Sequence, residues 1–233
     1  MSPVESPRPD LPPRPLRWLF LDLNSYFASV EQQLQPSLRG RPVIVAPVGT
    51  DTTVAIAASV EAKRYGIRTG TVWEAKRMCR DVVVTPARHG RYVEFHDAIV
   101  AEIERHIHVT RVCSIDEVAC RLLDNENSRT AAESLAKRIK NGIREKVGAC
   151  LTSSVGIAPN RLLAKLASGL QKPDGLIVFE ERDLPHALFR LRLTEIAGIG
   201  ANMERRLARD GVNDIAQYCA RRPRDAGQAW GGG

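Results

Sequence analysis

Apolar residues fall into short runs and spaced stripes along this chain, and their two periods separate strands from helices. Trp18-Leu19-Phe20-Leu21-Asp22-Leu23 reads as a strand from Arg17 to Leu23 that carries one acid, Asp22, near its end. Asn24-Ser25 can cap the helix that follows, which runs from Tyr26 toward Gln35 and stops before Pro36. Val43-Ile44-Val45-Ala46 and Thr53-Val54-Ala55-Ile56-Ala57 are two short buried-type strands joined by the turn-like Val48-Gly49-Thr50-Asp51. Ser59 to Arg64 reads as a short helix ended by Gly66, Thr71 to Cys79 as another, and Val82-Val83-Val84 as a further strand. From Arg91 onward Tyr92, Phe95, Ile99, Ile103 and Ile107 recur every three or four residues, an amphipathic helix.

That helix leads into the apolar run Val112 to Cys120, which the pair Asp116-Glu117 interrupts, and Val118 to Leu123 continues as a returning strand. After the polar turn Asp124 to Ser128, a spacing of four in Leu135, Ile139, Ile143 and Val147 predicts a second long helix. Cys150 to Ile157 predicts a strand, and Asn160 caps a helix over Arg161 to Gly169. Beyond Lys172-Pro173-Asp174-Gly175 the pattern changes to short helices, among them Met203 to Arg209. With the unit between Pro36 and about residue 90 set aside, the order is β-α-β-β-α-β, which predicts an α+β chain built on a ferredoxin-like sheet.

Composition adds a partner class. The 233 residues are 43% hydrophobic, enough for a core and for more than one domain, and the excess of 34 Lys and Arg over 27 Asp and Glu gives a formal charge of +7. That balance points to a polyanion. Lys63, Arg64, Arg68, Lys76, Arg77, Arg80, Arg88 and Arg91 make the inserted unit conspicuously basic, as a solvated surface or as a phosphate-contacting one. Five cysteines, odd in number and without a CxxC pair, predict neither a disulfide framework nor a zinc site and fit a reducing cytoplasm. The five histidines read as solvated or structural, since no third ligand stands at metal spacing beside His106 and His108. No apolar run approaches the roughly 18 residues of a membrane span. Residues 1–16 carry six of the fourteen prolines and predict a disordered tail, as do residues 221–233.

The chemistry centres on the carboxylates. Neighbours on a regular strand point to opposite faces, so Asp116 and Glu117 can serve one site only at a strand end or turn. Carboxylates held close together need cations, and Mg²⁺ takes one or two of them with waters and substrate phosphates. With Asp22 as the third acid the arrangement is a two-metal phosphoryl-transfer pattern. Farther on, Ile196-Ala197-Gly198-Ile199-Gly200-Ala201-Asn202 before the helix has the apolar-Gly-apolar-Gly turn of a helix-hairpin-helix. Such a turn presents backbone N–H groups to phosphate, and Arg205, Arg206 and Arg209 stand nearby; a plain glycine-containing helical turn is the other reading.

Six motifs in order, Asp22-Leu23-Asn24-Ser25-Tyr26-Phe27-Ala28-Ser29-Val30-Glu31, Ser114-Ile115-Asp116-Glu117, Ser154-Val155-Gly156-Ile157-Ala158, Leu163-Ala164-Lys165-Leu166-Ala167, Lys172-Pro173-Asp174-Gly175 and Gly198-Ile199-Gly200, resemble the Y-family, DinB-like translesion DNA polymerases over about residues 17–218. The resemblance implies a palm of residues 17–29 and 91–172, fingers of 30–90 and a helix-hairpin-helix thumb of 173–220. A little-finger domain that the family carries after the thumb is absent from these 233 residues, so the chain reads as a shortened member. The resemblance further implies template-directed DNA synthesis with two Mg²⁺ ions held by Asp22, Asp116, Glu117 and the carbonyl of Leu23. Tyr26, Phe27, Val60, Lys63 and Lys165 would surround the nucleotide, with Phe27 as the steric gate and Lys165 on the triphosphate. Gly198, Gly200, Arg205 and Arg206 would contact DNA. Primer-template DNA and dNTP are the implied partners of a cytoplasmic monomer, with a sliding clamp in a longer form.

Departures from the family pattern keep a second reading open. Where the family has Tyr and Arg in a Ser-Tyr-Glu-Ala-Arg stretch, this chain has Ser59-Val60-Glu61-Ala62-Lys63, which removes a hydroxyl and replaces a planar fork by a point charge. Ala119 and Arg121 stand where an aromatic and an Asp are common. The alternative is a weakly catalytic or non-catalytic DNA-binding accessory that keeps the polymerase fold. Retention of all three acids favours the enzyme, because a protein that only binds DNA has no need to hold repelling carboxylates together.

Overall fold

The computed structural model describes residues 14–196 and 198–221. In chain order the strands and helices are β1 (Trp18–Leu23), α1 (Tyr26–Leu34), β2 (Val43–Ala46), β3 (Ala57–Ala58), α2 (Val60–Arg64), α3 (Val72–Met78), β4 (Val83–Pro86), α4 (His89–Glu104), β5 (Val109–Val112), β6 (Glu117–Arg121), α5 (Arg129–Gly142), β7 (Ser153–Ala158), α6 (Arg161–Leu170), β8 (Leu176–Val178), α7 (Ala201–Arg209) and α8 (Ile215–Ala220).

The large sheet has the order β5-β6-β1-β7-β8, with β1 antiparallel to both neighbours. Its first four strands, read β7-β1-β6-β5 and crossed over by α4 and α5, are the ferredoxin-like arrangement that the apolar pattern predicts. One face carries Leu19, Leu21 and Leu23 of β1 against Ile99 and Ile103 of α4 and Leu135 and Ile139 of α5. The other carries Phe20 and Ala119 against Ala164 and Ala167 of α6, and Leu207 of α7, Ile215 of α8 and Val212 between them join the same cluster. Gly156 lets α6 lie close on β7, since a Cβ there would stand 2.0 Å from the Ala164 carbonyl oxygen.

Between α1 and α4 the chain makes an excursion with its own three-stranded sheet, order β3-β2-β4, and its own small core around Ile44, Ala62 and Val72. Its helices start as their caps dictate. Ser59 accepts the Ala62 N–H, and Thr71 and Glu74 form a reciprocal capping box.

Several expectations shift. The predicted strand over 53–57 is only Ala57–Ala58, because Val54 and Ile56 are 56% and 37% exposed and Val54 makes a lone bridge to Thr71. Past Gly175 the pattern does not pass directly to short helices: Leu176–Val178 pairs parallel to β7 and adds a fifth strand to the large sheet, so the sheet extends beyond residue 172. The run from Val112 to Cys120 is broken at Cys113–Asp116 into a hairpin of β5 and β6. Ser25 does not cap α1 with its side chain. It takes a left-handed conformation (φ 49°), and its buried hydroxyl has no partner among the described residues. Of the proline-rich tail, residues 1–13 lie outside the described residues, whereas Leu16 is buried in the core. Residues 222–233 of the other predicted tail also lie outside them.

Candidate active site

Asp22 and Glu117 stand directly opposite each other in the β1–β6 register. Opposite residues share a face, and this is the face that α6 covers, because Phe20 and Ala119, two residues away on each strand, pack beneath it. Asp116 is the last residue of the β5–β6 turn. Its carbonyl oxygen accepts the Leu23 N–H at 2.9 Å, and its carboxylate accepts the Ser114 hydroxyl at 2.6 Å. The turn therefore lets adjacent acids serve one end of the sheet, as a regular strand would not.

Two lysines neutralise this edge. Lys172 Nζ lies 2.5 Å from Asp22 Oδ2, and Lys165 Nζ lies 2.8 Å from Glu117 Oε2. Burial raises the Asp22 carboxyl above its usual range; Lys172 opposes that shift, and the charges of Asp116 and Glu117 add to it. Among the described residues no three acidic, histidine or cysteine side chains are placed to enclose a metal ion. An ammonium instead faces each of Asp22 and Glu117. Carboxylate oxygens, the donors that Asp22, Asp116 and Glu117 offer, are of the kind that suits a hard divalent cation.

A cleft of about 560 Å³ opens beside Asp22 and Asp116, lined on the sheet side by Leu23, Tyr26, Phe27 and Lys172 and on the side of the excursion by Ile56, Lys63, Arg68 and Thr69. Burial lowers the Lys63 pKa, and the neighbouring charges of Lys172 and Arg68 lower it further, against Asp22. The Phe27 ring stacks on Tyr92 with centroids 4.4 Å apart, and the Tyr26 hydroxyl donates to the Tyr92 carbonyl at 2.6 Å. Val60 lies in an adjoining hollow of about 290 Å³ with Asn24, Lys63, Arg64 and Lys172.

Lys165 does not line the 560 Å³ cleft; it sits over the Phe20 ring at 5.4 Å, against Glu117. The lysine that shares the cleft with Lys63 is Lys172, which sequence reasoning passed over. Its signal was the Lys172-Pro173-Asp174-Gly175 turn, and Asn24 ties that turn to β1, with its Oδ1 accepting the Asp174 N–H at 2.7 Å. Gly198 and Gly200 line another cleft, about 570 Å³, whose opposite wall includes Asp22 and Lys165. Gly198 has φ +97° and Gly200 is the N-cap of α7, on which Arg205 and Arg206 are exposed.

A ferredoxin-like sheet tipped with acids and faced by a small basic excursion defines the palm-and-fingers class of proteins. The sequence pattern of the IMS (impB/mucB/samB) family matches residues 21–169, and the chain belongs to that family. It is 43% identical over 204 residues to DNA polymerase IV of Moorella thermoacetica, covering 85% of this chain and 50% of that protein. It is 35% identical over 202 residues to DNA polymerase IV 1 of Bacillus subtilis, covering 86% and 48%. The chain thus spans about half the length of these curated relatives. Among solved structures it resembles DinB from Sulfolobus solfataricus, with a TM-score of 0.80, 28% identity and coverage of 92% of this chain and 63% of that one. It also resembles Dbh DNA polymerase in an insertion ternary complex, with a TM-score of 0.82, 29% identity and the same coverage.

Proposed function

We propose that this chain is the catalytic portion of a translesion DNA polymerase that transfers a nucleotidyl group from dNTP to a primer 3′-OH, directed by a template. The observation that carries this reading is Asp22, opposite Glu117 in the β1–β6 register, lining together with Asp116 a cleft whose far wall holds Lys63 and Arg68. Asp22, Asp116, Glu117 and the Leu23 carbonyl would hold two Mg²⁺ ions, which when bound supply charge neutralisation and acidify the 3′-OH. Lys63, Arg68 and Lys172 bind the triphosphate, which takes over the negative partner that Asp22 now gives Lys172. Phe27, fixed by Tyr92, stands where a ribose 2′-OH would enter, and Tyr26 supports it. Gly198, Gly200, Arg205 and Arg206 receive the backbone of the primer-template duplex.

In this reading residues 17–29 and 91–178 are the palm, 30–90 the fingers and 179–220 the thumb. The protein works as a cytoplasmic monomer and meets a sliding clamp in a longer form. Among the described residues no helix is long and apolar enough to cross a membrane. One observation favours the alternative of a DNA-binding accessory without activity: Val60 offers no donor to the hollow it lines. Primer extension with Mg²⁺ and all four dNTPs separates the two. The expected result is extension by the wild type and none by Asp116→Ala, with duplex binding nearly unchanged; extension of equal rate by the variant would refute the assignment.

A further inference from the structure

Beside Glu117, and sharing no lining residue with the 560 Å³ cleft, lies another hollow, about 280 Å³, walled by Phe20, Arg111, Cys113, Glu117, Arg161, Leu162 and Lys165. Its cations come from separate elements. Arg161 opens α6 and Lys165 follows one turn later on the same side. Arg111 arrives through a bulge: Val109 pairs with Cys120 and Arg111 with Ala119, so Thr110 is the extra residue, and its hydroxyl oxygen accepts the Arg121 N–H at 2.9 Å. In regular register Thr110 would oppose Ala119, and Arg111 would point to the other face of the sheet. The bulge turns Arg111 to the face that Ala119 shares with Glu117 and α6. Among the described residues neither the Arg111 nor the Arg161 guanidinium has an ion-pair partner, while Lys165 is held by Glu117. Three cations against one carboxylate leave the hollow positive, and guanidinium forks match phosphate oxygens.

We propose that this hollow binds a phosphodiester of the primer strand next to its 3′ end, with Arg111 and Arg161 as its ligands. The assignment rests on the polymerase reading, which places the 3′-oxygen between Asp22 and Glu117. The phosphate on the 5′ side of that terminal nucleotide then lies one nucleotide back, on the side away from the incoming triphosphate. Phe20 and Leu162 give its sugar an apolar wall.

The test is equilibrium binding of the chain to a fluorescent primer-template, read by anisotropy. One duplex carries a neutral methylphosphonate at the linkage nearest the primer 3′ end, another carries it at the opposite linkage of the template, and the third is unmodified. The wild type should lose affinity several-fold for the neutral primer and not for the neutral template. The double variant Arg111→Gln, Arg161→Gln should bind the unmodified duplex as weakly as the wild type binds the neutral primer. Its salt dependence should be shallower by about one unit of slope, and the neutral linkage should cause no further loss. Equal wild-type affinity for charged and neutral primers, a loss confined to the template, or additive losses in the variant would each overturn the proposal. Should the variant fail to fold, the wild-type comparison decides alone. A wild type that shows this binding signature but never extends a primer removes the polymerase reading and leaves the contact; one that extends primers and ignores the neutral linkage removes only the contact.

Discussion

Asn24 holds the turn that presents Lys172: its Oδ1 accepts the Asp174 N–H at 2.7 Å and the Thr152 hydroxyl at 3.2 Å, and its Nδ2 donates to the Ser154 hydroxyl at 3.0 Å. Lys140 Nζ secures the same turn from outside through the carbonyls of Asp174 (2.6 Å) and Gly175 (3.1 Å). Asn24→Ala leaves the outer contacts and removes the inner one, so Lys172 loses its fixed position beside Asp22. The expected result is a several-fold higher KM for dNTP with a smaller change in kcat. Asn24→Asp, which keeps the acceptor, should recover most of the loss. In a Lys172→Ala background Asn24→Ala should add little, and fully additive effects in that cycle would show that Asn24 acts elsewhere.

Phe27 cannot easily turn aside, since its ring is stacked on Tyr92 at an interplanar angle of 21°. A fixed ring excludes by clash. Phe27→Ala should therefore lower the ratio of kcat/KM for dNTP over rNTP, mainly by admitting rNTP. Unchanged sugar discrimination would return Phe27 to a packing role.

The double variant Val60→Tyr, Lys63→Arg should raise kcat/KM for dNTP incorporation. The hollow beside Val60, about 290 Å³, has room for a phenol ring, and the new donors add two charge-assisted hydrogen bonds of roughly 1.5–3 kcal/mol each before desolvation. Burial lowers the Lys63 pKa, so its charge is lost at lower pH than that of a free lysine, whereas arginine stays protonated. The alkaline limb of the pH profile should accordingly move upward with Lys63→Arg alone. Single-nucleotide kinetics that show no gain at any pH would mean that these residues do not meet the triphosphate.

Glu31 is fully buried, and its carboxylate accepts from Arg88 Nε at 3.1 Å, from a second Arg88 nitrogen and from the Tyr92 hydroxyl at 2.9 Å. Arg88 is partly solvated, so the two ends of the pair are unequal. Arg88→Ala strands a buried charge and should destabilise by about 2–4 kcal/mol, a figure reduced for the exposure of Arg88. Glu31→Gln removes the charge and should be milder. Urea denaturation of both variants checks the order, and the reverse order would mean that the carboxylate is solvated.

Long stripes and runs were readable in the sequence because each carries many residues of one period. Both sheet-crossing helices, the strand with Asp22 and the capped helix over 161–170 follow from that signal. Leu176–Val178 does not, since three apolar residues after a glycine look alike in a strand, a turn or a short helix. Lys165 and Lys172 are seven residues apart, and both stand in conspicuous motifs. Only the fold-back of the turn onto Asn24 decides which one meets Asp22, and that contact spans 150 residues of chain. The strict spacing of four in Leu135, Ile139, Ile143 and Val147 outruns the 3.6 repeat, and the chain answers by widening into a π turn at Ile143–Val147. The exposed positions Val54 and Ile56 alternate with small residues as a half-buried strand would, so their pattern alone misled.

The Glu31–Arg88 pair sits where the chain leaves the large sheet through α1 and re-enters it at α4. The basic excursion is therefore mounted on two covalent passages with an ionic pin between them. Such a mounting resists being drawn away from the sheet more than it resists tilting about the line that joins the passages. The wall that carries Lys63 and Arg68 opposite Asp22 is thereby tied to the sheet at both ends of its stretch of chain, so a change that removes the pin would be felt across the width of the cleft.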